Sequence, residues 1–262
     1  MDYGITGRWA IVCAASRGLG YGCAEALARH GANVVINGRD RASLEEAAEK
    51  LRAVAPKSQI LPVHGDVTDD DVQGTLIDSC EQVDILVTNA GGPPPGDFRN
   101  WGTGEWASAL KQNMLTPISL IKATVDHMAE RGFGRIVNIT SSAVKAPIPE
   151  LGLSNGARGG LTGFVAGLAR QPRVASRGVT INNLLPGTFA TQRLMDTLDA
   201  QAESSGRSRN ELDEEAKAAI PAGRYGNPEE FGAVCAFLCS EDAGYLTGQN
   251  ILLDGGAYPG TL

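Results

Sequence analysis

The 262-residue sequence lacks the long hydrophobic runs that membrane segments require. No stretch approaches the ~18 uninterrupted apolar residues of a transmembrane helix. The first residues, MDYGITGRWA, do not place an apolar run behind a basic region, as a secretory signal peptide would. We therefore expect a protein that remains in the cytoplasm and does not have a membrane as its partner.

Positive charge is also scarce. The chain has 23 Lys and Arg against 30 Asp and Glu, which gives a formal net charge of -7. Dense runs of Lys and Arg, which attract nucleic acids and anionic lipid surfaces, do not occur. We expect a small molecule as the partner and no nucleic acid.

Cysteines are few, odd in number and not spaced as zinc ligands. Cys235 and Cys239 lie four residues apart in an apolar helical pattern, which is typical of core residues. The expectation is free thiols and no metal site. The five cysteines are Cys13, Cys23, Cys80, Cys235 and Cys239.

Short apolar runs alternate with helical patterns along the whole chain, and this alternation is typical of a parallel sheet with crossover helices. Strands covered by helices on both faces read as nearly continuous apolar stretches. The sequence therefore predicts one α/β domain over 1–262, a Rossmann-like doubly wound parallel sheet with ligands at the carboxyl ends of its strands. The seven predicted strands are 9–14, 33–37, 59–63, 83–89, 135–140, 179–185 and 250–254.

One polar segment interrupts this alternation. Residues 192–220 are rich in helix formers and precede Pro221. Two short helices that form a mobile substrate lid over 190–220 are one interpretation. A solvated helical insertion without a gating role is the other.

A glycine-rich turn, AASRGLGYG, joins the first predicted strand to a helical pattern. Glycines in such a turn let the backbone approach a phosphate, and the N-terminus of the following helix offers free N–H groups to the anion. A strand before the turn and a second strand after the helix favour a dinucleotide site. The expected contacts in the turn are Ala14, Ser16, Arg17, Gly18, Leu19 and Gly20.

The end of the second predicted strand indicates which dinucleotide binds. Gly38 occupies the position that would take a ribose-binding acid, and Arg39 follows it. A small residue beside an arginine leaves room for a 2′-phosphate, which an Asp would repel. NADP(H) is therefore expected, with Arg17 either as a second contact to that phosphate or as a solvated loop residue.

The chain resembles the short-chain dehydrogenase/reductase family through motifs that occur in the family's order and spacing. Beyond the turn they are GDV (65–67), TNAGG (88–92), QNM (112–114), GRIVNITSS (134–142), LLPGTFAT (184–191) and LTGQNILLDGG (246–256). The resemblance implies residues that contact the adenine, the ribose and the nicotinamide carboxamide. In that order they are Asp66 and Val67; Asn89, Ala90 and Gly91; and Pro186, Gly187, Thr188 and Thr191.

The first departure from the family pattern is Cys13-Ala14, where the family usually has Thr-Gly. Alanine can follow a strand without special dihedral angles. We expect only a locally altered turn there.

The second departure lies in the catalytic set. The resemblance assigns the family's Asn and Ser to Asn113 and Ser141, with Ser142 as the alternative register. At the positions of the family's catalytic Tyr and Lys, this sequence has Ser154 and Arg158. The segment GLTGF (160–164) fixes how this helix matches the family pattern.

Ser154 and Arg158 lie four residues apart and therefore share one face of a helix. Serine is a much poorer acid than a phenol, and arginine keeps its positive charge without relaying protons. Lys145 in the preceding loop is either a replacement proton donor or a solvated side chain.

These residues predict an NADP(H)-dependent oxidoreductase that interconverts a ketone, 3-oxoacyl-like or another small carbonyl, and a secondary alcohol. The alternatives are a catalytically silent NADP(H)-binding sensor or structural subunit, and non-redox chemistry on the same scaffold. The resemblance implies a homotetramer formed through helices at 104–130 and 153–170 and the C-terminal segment. Candidate apolar residues of the substrate pocket are Phe98, Trp101, Leu151, Leu153 and Phe189.

Overall fold

The computed structural model describes residues 2–261 and contains one seven-stranded sheet in which every neighbouring pair is parallel. The predicted fold class and its seven strands are confirmed, with strand ends that differ by at most two residues from expectation. The strands are β1 Trp9–Val12, β2 Asn33–Gly38, β3 Ile60–His64, β4 Ile85–Thr88, β5 Gly134–Ile139, β6 Val179–Pro186 and β7 Asn250–Leu253. Their order in the sheet is β3-β2-β1-β4-β5-β6-β7.

Helices cover both faces of the sheet. They are α1 Gly18–Arg29, α2 Arg41–Val54, α3 Asp70–Asp78, α4 Thr103–Leu110, α5 Thr116–Arg131, α6 Gly152–Leu168, α7 Pro172–Ala175, α8 Gln192–Ser205, α9 Arg209–Ala218 and α10 Pro228–Leu238. Apolar residues of α1, α2 and α10 form a core on one face, and those of α3, α5 and α6 form a core on the other. Because both faces are buried, the strands have the continuous apolar sequences that predicted them.

The strand order reverses at β1, whose neighbours are β2 on one side and β4 on the other. The chain leaves β1 toward β2 and leaves β4 toward β5, in opposite directions along the sheet. This divergence leaves a crevice between the carboxyl ends of β1 and β4. In a doubly wound sheet this crevice is the position of the ligand site.

A row of polar side chains runs across four strands at the same register. The hydroxyl of Thr88 donates to Asn138 Oδ1 at 2.7 Å, and Asn138 Nδ2 donates to Asn183 Oδ1 at 3.1 Å. Asn183 Nδ2 continues the row to Asn250 Oδ1 at 2.8 Å. Buried amides are costly without partners, so this row favours one register of β4 to β7.

The turn after β1 differs from expectation at Ala14. Its φ of +47° is in the left-handed region, and no other non-glycine residue within 2–261 has a positive φ. The expectation of ordinary dihedral angles was therefore wrong. The reversed carbonyl of Ala14 accepts from Asn89 Nδ2 at 3.3 Å, and a Cβ added at Gly20 would overlap it. This conformation costs an alanine about 1–2 kcal/mol.

The polar segment forms two helices, α8 and α9, as predicted. Ser208 caps α9 by accepting from the N–H of Glu211, whose side chain accepts from the N–H of Ser208. The helices expose most of their residues, and Leu198 of α8 is buried. Their role as a lid stays a prediction.

Cys235 and Cys239 are fully buried core residues, as expected. Hydrogen bonds among neighbouring thiols, which include Cys23, together with burial raise the pKa values of both well above the usual range. Because the thiolate is the reactive form of cysteine, we expect both thiols to be unreactive. Among residues 2–261, no helix combines the length and apolar composition needed to cross a membrane.

Candidate active site

A cavity of about 820 Å³ opens at the carboxyl ends of the strands, beside the point where the strand order reverses. The structure brings nearly all of the residues expected at the site to its wall. The predicted residues that line it are Ala14, Ser16, Arg17, Gly18, Leu19, Arg39, Asp66, Val67, Asn89, Ala90, Gly91, Ser141, Ser154, Arg158, Pro186, Gly187, Thr188 and Thr191.

Three predicted site residues, Gly20, Asn113 and Lys145, lie outside the wall. Gly20 is buried under the turn, where it permits close approach of α1 to the carbonyl of Ala14. Asn113 is buried behind the wall. The ammonium of Lys145 lies 5.8 Å from the ring centroid of Tyr258, in the C-terminal segment. Its predicted role as proton donor is not supported by this position.

The turn at the base of the cavity is suited to phosphate. Gly18 opens α1 with a φ of +62°, a conformation that favours glycine, and the first N–H groups of this 12-residue helix face outward. Gly187, directly after β6, packs against the end of β7, since an added Cβ would lie 2.7 Å from the Cα of Asp254. The turn at Gly18 therefore fits a phosphate against backbone N–H groups.

Gly38 and Arg39, at the end of β2, line the cavity. Gly38 faces Ser16, and a Cβ added to it would lie 3.2 Å from the Cβ of Ser16. The Arg39 side chain is 70% exposed and its guanidinium is 3.9 Å from Asp66, a distance at which a surface pair contributes little. Asp40 also lines the cavity and caps α2, where its side chain accepts from the N–H of Ser43 at 2.8 Å.

Arg158 is held at the other end of the cavity by neutral acceptors. Its Nε and Nη2 donate to Asn113 Oδ1 at 3.2 and 2.8 Å, and its Nη1 donates to the carbonyl of Thr140. Asn113 reaches it from a π-helical turn at Lys111–Leu115, between α4 and α5. Burial, and next the charge of Arg193, lower the pKa of Arg158 to about 10, so it stays charged at neutral pH.

Two serine hydroxyls line the cavity near this charge. Ser141 Oγ accepts from the N–H of Ala143 at 3.1 Å, which leaves its own proton available for a ligand. Ser154 is 6% exposed and lies one turn before Arg158 on α6. The alternative register, Ser142, is not among the lining residues.

Of the predicted apolar pocket residues, Leu151 and Phe189 line the cavity. Phe98 is 64% exposed outside it, Trp101 packs edge-on against a neighbouring tryptophan, and Leu153 is buried in the core. The stiff loop after β4 therefore turns its aromatic residues away from the cavity.

Arg193 also lines the cavity, and no sequence pattern singled it out. It lies in the first turn of α8 with its guanidinium against Gly92, where an added Cβ would be 2.7 Å from Nη1. Because it is one of many polar residues of the α8–α9 segment, only the three-dimensional contact distinguishes it.

A doubly wound sheet with a glycine-rich turn and a cavity at its reversal point defines a dinucleotide-binding α/β domain. Comparison with known proteins specifies the family. The family model described as enoyl-(acyl carrier protein) reductase matches residues 13–258. The chain belongs to the short-chain dehydrogenase/reductase family, as its motifs predicted.

Similar proteins extend over the full length of the chain. The NADPH-dependent reductase BacG of Bacillus subtilis is 30% identical, covering 95% of this chain and 97% of BacG. The acetoacetyl-CoA reductase of Cupriavidus necator is 32% identical, with 98% and 100% covered. The crystal structure of L-sorbose reductase from Gluconobacter frateurii, complexed with NADPH and L-sorbose, superposes with a TM-score of 0.92 at 27% identity, with 100% of both chains covered.

Proposed function

We propose that this protein is an NADP(H)-dependent oxidoreductase that interconverts a ketone and a secondary alcohol. The observation that carries the proposal is that Ser141, Ser154 and Arg158 line the same cavity as the glycine-rich turn. The expected enzyme class and cofactor are confirmed by the relatives, which include NADPH-dependent reductases. The particular catalytic set is our inference from the geometry.

The residues of the wall fit the parts of NADP(H). The N-terminus of α1 would bind the pyrophosphate, and Arg39 with Arg17 would bind the 2′-phosphate. Asp66 and Val67 would flank the adenine, Asn89 to Gly91 would line a ribose, and Pro186 to Thr191 would hold the nicotinamide carboxamide. The bound cofactor supplies or accepts a hydride.

Reduction of a ketone places negative charge on its oxygen, and the site must stabilise that charge. Ser141 and Ser154 would donate hydrogen bonds to the oxygen, and solvent water at the open cavity would supply the proton that converts the alkoxide to the alcohol. Arg158, whose partners among residues 2–261 are neutral, would add a positive charge in a buried setting where electrostatic interactions are strong. Arginine does not relay protons, so its contribution is stabilisation of charge rather than acid catalysis.

The replacement of a phenol by serine also favours a second candidate, a nucleotide-binding protein without turnover. A screen of ketones with NADPH, and of secondary alcohols with NADP⁺, separates the two. The reductase proposal expects substrate-dependent loss of NADPH absorbance for at least one ketone class. Saturable NADPH binding with no turnover across the screen would support the silent protein instead.

We also propose that α6 forms part of a homotetramer interface. Gly163 and Gly167 face open space, with no atom within 4 Å of an added Cβ, and Phe164 beside them is 36% exposed. Ala169 is buried in the protein's own core, so it does not belong to this face. Light scattering should give four times the monomer mass, and a monomer at micromolar concentration would refute the proposal.

A further inference from the structure

Arg158 and Arg193 both line the cavity, and neither has an acidic partner among residues 2–261. In the described part of the chain, the Arg158 guanidinium bonds only to Asn113 Oδ1 and the Thr140 carbonyl, which are neutral. The guanidinium of Arg193 has no hydrogen bond or ion pair with any of residues 2–261, and it lies exposed at the cavity wall against Gly92. The two charges are close enough for Arg193 to lower the pKa of Arg158.

The carboxylates of the cavity wall are already engaged. Asp40 caps α2 through Ser43, and Asp196 accepts from Gln192 Nε2 at 2.9 Å. Asp66 accepts from the N–H of Thr68 at 2.9 Å, at the end of the cavity predicted to hold the adenine. None of the wall carboxylates lies within 4.0 Å of Arg158 or Arg193 in the part of the chain that the structure describes.

We propose that Arg158 and Arg193 together bind a carboxylate of the substrate, so that the ketone reduced here is an oxo acid. This inference rests on the proposed reductase function and names its substrate class. Two guanidiniums with unused donors on one cavity are complementary to a carboxylate, which accepts several charge-assisted hydrogen bonds. An uncharged ketone would leave both charges without a counterion.

The spacing of the site limits the distance between carboxylate and ketone. Ser154 and Arg158 are neighbours on one face of α6, with Cβ atoms about 5–6 Å apart. Both side chains also line the cavity, so one small substrate would place its ketone oxygen at Ser154 and its carboxylate at Arg158. This geometry favours 2-oxo and 3-oxo acids over ketones with a remote acid group.

The pyrophosphate of the cofactor is the competing partner for Arg193, and the experiments below test it. The turn at Gly18 and the N-terminus of α1 already provide donors for that group. Arg193 instead touches Gly92, beyond the Asn89–Gly91 segment assigned to the ribose.

The first experiment compares acids with their neutral esters. Acetoacetate and 4-methyl-2-oxopentanoate are each assayed with NADPH beside their methyl esters, which keep the ketone and remove the charge. The parent should favour at least one acid over its ester by about 10- to 100-fold in kcat/KM, as expected for charge-assisted contacts. Equal or better turnover of both esters would overturn the inference and leave the reductase function standing.

The second experiment removes the charge of Arg193. Arg193→Gln should lower kcat/KM for the preferred acid about tenfold, mainly through KM, with little change for the ester and in the Kd of NADPH. Arg207→Gln is the matched control, because Arg207 follows α8 and pairs with Glu215 outside the cavity. An Arg193→Gln variant that loses NADPH affinity and keeps its preference for the acid would assign Arg193 to the cofactor and overturn the inference.

Calorimetry gives a readout that does not require turnover. Titration of acetoacetate and of 4-methyl-2-oxopentanoate into the NADP⁺-loaded protein should show binding of an acid that is weakened about tenfold in Arg193→Gln and unchanged in Arg207→Gln. If neither acid nor ester is reduced, the wider ketone screen decides the reductase proposal, and this titration still decides the anion site. If neither acid binds to the parent protein, the inference of a carboxylate site at Arg158 and Arg193 is overturned.

Discussion

Arg158→Ala is the substitution that most directly tests the catalytic proposal. The change removes the guanidinium that three hydrogen bonds hold at the cavity wall. If this charge stabilises the developing oxyanion, kcat should fall by about 10²–10³, as for loss of one oxyanion donor. Initial rates at saturating NADPH measure the effect.

The same structure predicts a small effect of Arg158→Ala on stability. Asn113 Oδ1 and the Thr140 carbonyl lose their donors, at a cost of about 1–3 kcal/mol each if they stay dry. The variant also no longer buries a charge among neutral groups, which offsets this cost. Urea unfolding should therefore show a folded variant. Unchanged kcat in that variant would refute the role of Arg158.

Asn113→Ala and a pH profile separate the effect of the Arg158 charge from the effect of its positioning by Asn113. Asn113→Ala removes the acceptor of two Arg158 hydrogen bonds and should lower kcat about tenfold while the charge remains. In the parent, kcat should fall as pH rises past about 10, where Arg158 loses its proton. In Arg158→Ala this alkaline fall should be absent. An identical fall in both proteins would show that another group titrates.

Four further predictions follow from the site and the turn. Ser154→Ala and Ser141→Ala should each lower kcat by about 10²-fold with little change in NADPH affinity, measured by initial rates and fluorescence titration. Arg39→Ala should weaken NADPH about tenfold and leave NADH unchanged, and equal parent affinities for the two would contradict the assignment. Ala14→Gly should raise the free energy of unfolding by ~1 kcal/mol in urea, because glycine adopts a φ of +47° freely. Ser154→Tyr combined with Arg158→Lys should raise kcat on simple ketones by about 10²-fold by restoring a phenolic acid, whereas Ser154→Tyr alone should not.

The strands and the glycine-rich turn could be predicted because they depend on local sequence. A strand such as β4, buried on both faces, is apolar almost throughout, and the backbone angle of Gly18 requires glycine. The motifs then placed Ser141 and Ser154 at the carboxyl edge of the sheet. In each case one short segment contains the whole signal.

The parts that could not be predicted depend on contacts between distant segments. The left-handed angle of Ala14 is accompanied by a hydrogen bond from Asn89, 75 residues later. The π-helical turn directs Asn113 toward Arg158, and the hydrogen bond between them joins residues that are 45 positions apart. Arg193 enters the site only because α8 folds back against Gly92. No pattern within a single segment records these pairings.

The partners of Arg158 determine what kind of catalyst this site can be. A carboxylate partner would cancel the guanidinium charge, whereas Asn113 Oδ1 and the Thr140 carbonyl orient it and leave the charge intact. Buried charges act strongly because little water screens them. Since neither serine nor arginine is a good acid near neutral pH, the rate enhancement must come from fixed charge and oriented hydroxyls. Such a site favours substrates that bring their own negative charge to it, and this links the loss of the tyrosine to the proposed preference for oxo acids.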